Sequence, residues 1–131
     1  METLTEIQKK MADVLIEWAL THRNGEPSDL TIEEPAMAKA IGEDSWKRAN
    51  TEDLKMLCSY CDRKQYPLVS LMVVIPGLEK PEKSLLIHAF KATLPTKESN
   101  ARWAAELKAI QKTKQSVWKD FKANVTTDDE H

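Results

Sequence analysis

The sequence predicts an α+β fold in a single domain, with a long helix near each end of the chain and strands between them. The chain has 131 residues, an ordinary size for one domain with its own core. Apolar residues recur at helical spacing over residues 5–21 and again over 99–123. In the middle, residues 68–75 are dense in β-branched side chains and stop at Pro76-Gly77, which is typical of a strand.

The first half of the chain reads as three helices and a short strand. Thr3 or Thr5 can cap the first helix, 5–21, and Asn24-Gly25 ends it. Residues 30–32 are compatible with a short strand, and a short helix follows at 35–41. Thr51 is predicted to cap the third helix, which ends at Tyr66-Pro67 and has acidic residues in its first turn.

The second half reads as a hairpin followed by the final helix. A turn or wing-like loop is predicted at 78–83, and residues 84–91 are a returning strand or a helical turn. The last helix, 99–123, has a heptad-like pattern interrupted by Lys114. We therefore expect a folded domain over residues 1–125 and a disordered acidic tail over 126–131.

The element order is helix, strand, helix, helix, strand, turn, strand, helix. This order predicts a winged helix-turn-helix, in which the third helix faces a groove and the strand hairpin forms a wing. The first and last helices would then pack behind, as they do in such domains.

Charge and composition limit the possible classes of function. The net charge of −2 argues against a simple polyanion binder, although residues 1–40 are mainly acidic and 96–127 mainly basic. The apolar runs are shorter than the roughly 18 residues that span a bilayer, and the N-terminus lacks a secretory pattern. We expect a cytoplasmic protein that does not associate with membranes. The two cysteines are too few for a disulfide framework.

Two stretches resemble a known kind of module. One runs from Leu15-Ile16-Glu17-Trp18 through Leu30-Thr31-Ile32 to Ile41-Gly42, and the other joins Leu54, Leu57-Cys58 and Cys61 to Tyr66-Pro67-Leu68-Val69-Ser70. Over residues 10–80 the chain is similar to small winged-helix modules of bacterial restriction-type and HNH-nuclease proteins and of phage-encoded proteins. The histidines and asparagine of an HNH site are missing. The resemblance implies a setting of DNA transactions or of conflict between phage and host.

The residues that could carry chemistry favour structural interpretations. Cys58 and Cys61 form a C-x-x-C without the second pair that structural zinc normally needs, so we interpret them as small buried hydrophobes. Adjacent carboxylates such as Glu33-Glu34 sit at helix starts, where capping explains them. His88 has no nucleophile within a recognisable local arrangement. We expect no catalytic site, no metal and no cofactor.

A binding surface is the remaining candidate. Basic residues surround the third helix and the expected wing, and with Trp46 they form the predicted binding set: Trp46, Lys47, Arg48, Lys55, Arg63, Lys64, Lys80 and Lys83. Trp46 either packs under the third helix or is an exposed anchor. Glu52 and Asp53 oppose DNA binding, because they would repel phosphates from the first turn of the reading helix.

Two functions follow from this set. The first is a non-enzymatic binding protein, such as a phage- or defence-related inhibitor or regulator, that acts on a nuclease or another nucleic-acid-handling complex. The alternative is a transcriptional regulator that binds duplex DNA with the third helix and the wing. The heptad-like terminal helices are also compatible with a homodimer.

Overall fold

The computed structural model describes residues 4–127, which form six α-helices and a small two-stranded sheet. The helices are α1 (Glu6–His22), α2 (Glu34–Ala40), α3 (Arg48–Lys64), α4 (Lys83–Phe90), α5 (Thr96–Gln111) and α6 (Gln115–Thr127). The strands β1 (Ile32–Glu33) and β2 (Val73–Val74) each follow a 3₁₀ turn, at Pro27–Leu30 and Val69–Met72. They pair in parallel, Ile32 with Val73 and Glu33 with Val74.

Helix α1 begins where the sequence predicts. The backbone N–H of Gln8 donates to the Thr5 hydroxyl at 3.3 Å, and the Gln8 side-chain oxygen accepts from the Thr5 N–H at 3.0 Å. This reciprocal capping box confirms Thr5 as the cap, whereas Thr3 lies outside the described residues. The inner face of α1, with Met11, Leu15 and Ile16 fully buried, packs against α3 and α6 and forms the centre of the core.

The predicted α+β fold with a winged helix is wrong, because the described residues are mostly helical and their one sheet has two strands of two residues each. The predicted strand 68–75 is a 3₁₀ turn followed by a two-residue strand, and the predicted returning strand is the helix α4. Because β1 and β2 run parallel, they cannot form a hairpin, and residues 4–127 contain no wing. The physical reason is burial on every side. Residues 69–74 are all buried, and a fully buried run lacks the alternation that distinguishes a strand from a compact turn.

Two helix boundaries also differ from the prediction. Helix α3 begins at Arg48, because the Asn50 side-chain oxygen accepts from the Lys47 backbone N–H at 2.8 Å. Thr51 therefore lies inside the helix, where its hydroxyl accepts from the Trp46 indole N–H at 3.0 Å. The single last helix of the prediction is two helices, since residues 112–114 redirect the chain and let α6 pack against α1. Helix α6 continues to Thr127, and residues 128–131 of the predicted tail lie outside the described residues.

The terminal helices bury their aromatic side chains within one chain. Trp118 and Phe121 of α6 are buried in the core that α1 shares, and Phe121 stacks on Tyr66 with ring centroids 4.5 Å apart. The heptad-like apolar pattern of the terminal segments is thus largely used inside the domain. Trp103 of α5 is also held inside the domain, since its indole N–H donates to the Leu71 carbonyl at 2.8 Å. Within residues 4–127, no helix is both long and apolar enough to cross a membrane.

Candidate functional site

The basic residues predicted around the third helix do not converge on one spot. Arg48 and Lys64 are the first and last residues of α3, about 24 Å apart at the rise of an α-helix. Between them, the Lys55 ammonium pairs with Glu52 of the same helix at 2.7 Å. Arg63 and Lys64 occupy the last turn, where Lys64 lies 5.9 Å from the centre of the Tyr60 ring. Their arrangement along α3 therefore does not form the compact basic face that the predicted fold would have created.

Trp46 packs against the core and is partly buried. Of the two predicted positions, packing beside the third helix therefore fits better than an exposed anchor. Lys47 is the exposed residue that precedes α3. Lys80 and Lys83, which the sequence places in a wing, do not lie in a hairpin. Lys80 lies in the loop between β2 and α4, and Lys83 is the first residue of α4. Both line one groove on the surface.

The loop before α4 is a closed structure. The backbone N–H of Ile75 donates to the Lys80 carbonyl at 2.8 Å, and the N–H groups of Leu78 and Glu79 donate back to the Ile75 carbonyl. Gly77 has a φ of +85° and Glu79 a φ of +56°, and these left-handed residues allow the chain to reverse so sharply. The loop presents Leu78 outward, with 65% of its surface exposed. The sequence predicts Leu78 only as part of a turn. A bulky apolar residue next to Pro76-Gly77 is nevertheless a signal of an exposed apolar side chain, because turns lie at the surface.

Leu78 borders a groove with an apolar lining and a volume of about 350 Å³. We call it the Leu78 groove and define it by its larger apolar lining residues Ile75, Leu78, Pro81, Leu86, Ile87 and Leu94. The first three come from the closed loop, the next two from α4, and Leu94 from the connection to α5. Lys80, Glu82 and Lys83 add charge to the same lining. The loop, α4, its connection to α5 and the start of α5 therefore meet in one concave surface.

Beside this groove, two carboxyl groups share a hydrogen bond. Glu34, in the first turn of α2, is only 8% exposed and hydrogen-bonds the side chain of Glu82, which precedes α4. Burial, the hydrogen bond and the charge of Glu82 together raise the pKa of Glu34 to about 8. At neutral pH, Glu34 is therefore mainly a carboxylic acid that donates to the Glu82 carboxylate. The sequence interpretation of Glu33-Glu34 as helix-start carboxylates missed this pair, because nothing local connects residues 34 and 82.

Helices α3 and α4 also bring together a serine and a histidine. The Ser59 hydroxyl and Nε2 of His88 lie 2.8 Å apart, and three residues later in each segment Lys91, which directly follows α4, pairs with Asp62 of α3 at 3.3 Å. The matching order of these contacts means that α3 and α4 run side by side in the same direction. Nucleophilic catalysis would also require a group that orients His88 and donors for an oxyanion. Within the described residues, no carboxylate hydrogen-bonds His88, and the interior N–H groups of α3 are used in the helix.

The two cysteines are buried on the inner face of α3, and neither forms a disulfide. Burial raises the pKa of the Cys58 thiol to about 12 and raises the pKa of Cys61 as well, so both remain protonated thiols. Their setting agrees with the interpretation as small buried hydrophobes. Among residues 4–127, no three histidine, cysteine, aspartate or glutamate side chains are grouped so that they could hold a metal ion.

Comparisons with protein-family models, with curated proteins and with solved structures find no match to this chain.

Proposed function

We propose that this chain is a non-enzymatic protein-binding module that acts in the cytoplasm by occupying a nucleic-acid-handling protein complex, such as a nuclease. The observation that carries the proposal is the Leu78 groove, where an exposed leucine on a closed loop borders an apolar cavity. Concave apolar surfaces with a few charged residues are the usual form of binding sites. An inhibitor or regulator is the specific role that we propose for such a module.

The energetic argument concerns the leucine itself. Burying a whole leucine side chain stabilises a complex by roughly 1.5–3 kcal/mol. Leu78 retains 65% of its exposure in the isolated chain, so covering it would contribute about 1–2 kcal/mol to binding. That contribution corresponds to about a 5- to 30-fold change in Kd. The loop is already held by its own hydrogen bonds, so little conformational entropy is lost when a partner covers it.

The DNA-binding alternative loses its geometric basis with the winged helix. It required a hairpin beside the third helix, and α4 occupies that place in the chain. It also required a compact set of basic residues, whereas those of α3 are spread along the helix and Lys55 is paired with Glu52. Binding to duplex DNA is therefore one of the outcomes that the following test distinguishes from binding to a protein.

The test is co-purification of the tagged full chain from its host cells, with nuclease treatment before elution. We expect a defined protein partner whose recovery falls about 5- to 30-fold in Leu78→Ser. Met56→Ser is the matched control, because Met56 is an exposed apolar residue on α3, 41% exposed, outside the groove. Recovery that depends on intact DNA, or that is equal for Leu78→Ser and Met56→Ser, would overturn the proposal. Thermal unfolding of both variants verifies that they fold.

A further inference from the structure

The Leu78 groove combines its apolar lining with positive charge. Lys80 and Lys83 both line it, and within residues 4–127 neither ammonium has a carboxylate at ion-pair distance. Among the described lining residues, the one carboxyl group belongs to Glu82, which hydrogen-bonds Glu34. The charged side chains at the groove therefore leave an excess of positive charge next to apolar surface.

We propose that the Leu78 groove binds a short peptide segment of a partner protein in which bulky apolar side chains lie next to acidic ones. This inference rests on the proposed function and adds the chemistry of the partner. The apolar side chains contact Leu78, Leu86 and Ile87, and the acidic ones pair with Lys80 and Lys83. The volume of about 350 Å³ lies near the lower end of the range for ligand sites, so the groove takes a few side chains of a segment.

Two other occupants fit the groove less well. Duplex DNA offers phosphates for Lys80 and Lys83 but presents no bulky aliphatic side chains to fill the apolar lining. A second copy of this chain offers little apolar surface, because the large hydrophobics exposed within residues 4–127 are Met56 and Leu78. An acidic, apolar segment satisfies both the charge and the lining.

The test uses fluorescein-labelled synthetic peptides and fluorescence anisotropy with the full chain. The probe has the sequence Asp-Asp-Leu-Phe-Leu-Asp, and the comparison peptides replace its three aspartates by asparagine or by lysine. We expect the affinity to fall in the order acidic, neutral, basic. The advantage of the acidic peptide over the neutral one should shrink at high salt, because exposed ion pairs are screened.

Substitutions connect the peptide to the groove. Lys80→Gln with Lys83→Gln should weaken binding of the acidic peptide about 2- to 30-fold and leave the neutral peptide unchanged, as expected for two surface ion pairs. Leu78→Ser should weaken both peptides. The matched control is Lys108→Gln with Lys119→Gln, which removes two exposed lysines of α5 and α6 outside the groove.

The outcomes separate this inference from the proposed function. Equal binding of the acidic and neutral peptides, both lost in Leu78→Ser, overturns the acidic partner and leaves the groove as a docking site. Absence of peptide binding, while Leu78→Ser still reduces recovery of the cellular partner, overturns the peptide and leaves the function. A dimer in light scattering that Leu78→Ser converts to a monomer overturns the peptide in favour of self-association.

Discussion

Replacing Glu34 by glutamine should stabilise the protein, and increasingly so as the pH rises. Folding buries Glu34 against Glu82 and raises its pKa from the ordinary 4.5 to about 8. A raised pKa means that the folded state disfavours the ionised form. The contribution of the neutral acid is therefore fully present below pH 4.5 and is lost as the pH rises through 8. Glutamine stays neutral at every pH, and its amide can still donate to Glu82.

The magnitude follows from the two pKa values. Each pH unit between 4.5 and 8 lowers the free energy of unfolding of the natural chain by about 1.4 kcal/mol. The loss reaches about 3 kcal/mol at pH 7 and about 5 kcal/mol above pH 8, as an upper bound for complete retention of the glutamine hydrogen bond.

Urea unfolding at pH 4.5, 7 and 9 measures the difference. We expect Glu34→Gln to match the natural chain at pH 4.5 and to exceed it by a margin that grows with pH. Glu33→Gln is the control, because Glu33 is exposed and its side chain makes no capping hydrogen bond, so its effect should stay below about 0.5 kcal/mol. A Glu34→Gln chain that is less stable at pH 9, or a margin that does not change with pH, would refute the reasoning.

Three further predictions concern the same region and the core beneath it. The acidic peptide should bind about 2- to 5-fold more weakly at pH 9 than at pH 6.5, because the ionised Glu34–Glu82 pair repels it, and Glu34→Gln should remove this difference in anisotropy titrations. Leu85→Ala should lower the free energy of unfolding by about 2–5 kcal/mol in urea, since the side chain of Leu85, on the inner face of α4, is fully buried. Tyr66→Phe should cost about 1–2 kcal/mol in the same assay, because it removes the hydroxyl that donates to Asp120 at 2.6 Å, and an unchanged midpoint would contradict that role.

Local signals in the sequence predicted several elements correctly. Thr5 caps α1, Pro35 lies in the first turn of α2, and the chain turns at Pro76-Gly77. Lys114 interrupts the heptad-like pattern at the place where the structure separates α5 from α6. These features depend on side chains within a turn or two of one another, so a single stretch of sequence contains what is needed to predict them.

Other elements could not be predicted because they depend on distant partners. Residues 69–72 pack against α1, α3 and α5, whereas Val73 and Val74 contact α2 and pair with β1. Residues 83–90 form a helix that packs on α3, although three consecutive apolar residues, 85–87, fit a strand equally well. In both segments burial on several sides removes the periodicity that distinguishes a helix from a strand.

The sequence by itself determined that both ends of the chain are helical, which residue caps the first helix, and that the two cysteines pack as hydrophobes. The tertiary structure decided that there is no hairpin wing in residues 4–127, that Leu78 borders a lysine-flanked groove, and that Glu34 meets Glu82. Capping and turn formation are local interactions, which the order of residues encodes directly. The groove and the carboxyl pair arise where segments distant in sequence pack together, and their chemistry exists only in the folded chain.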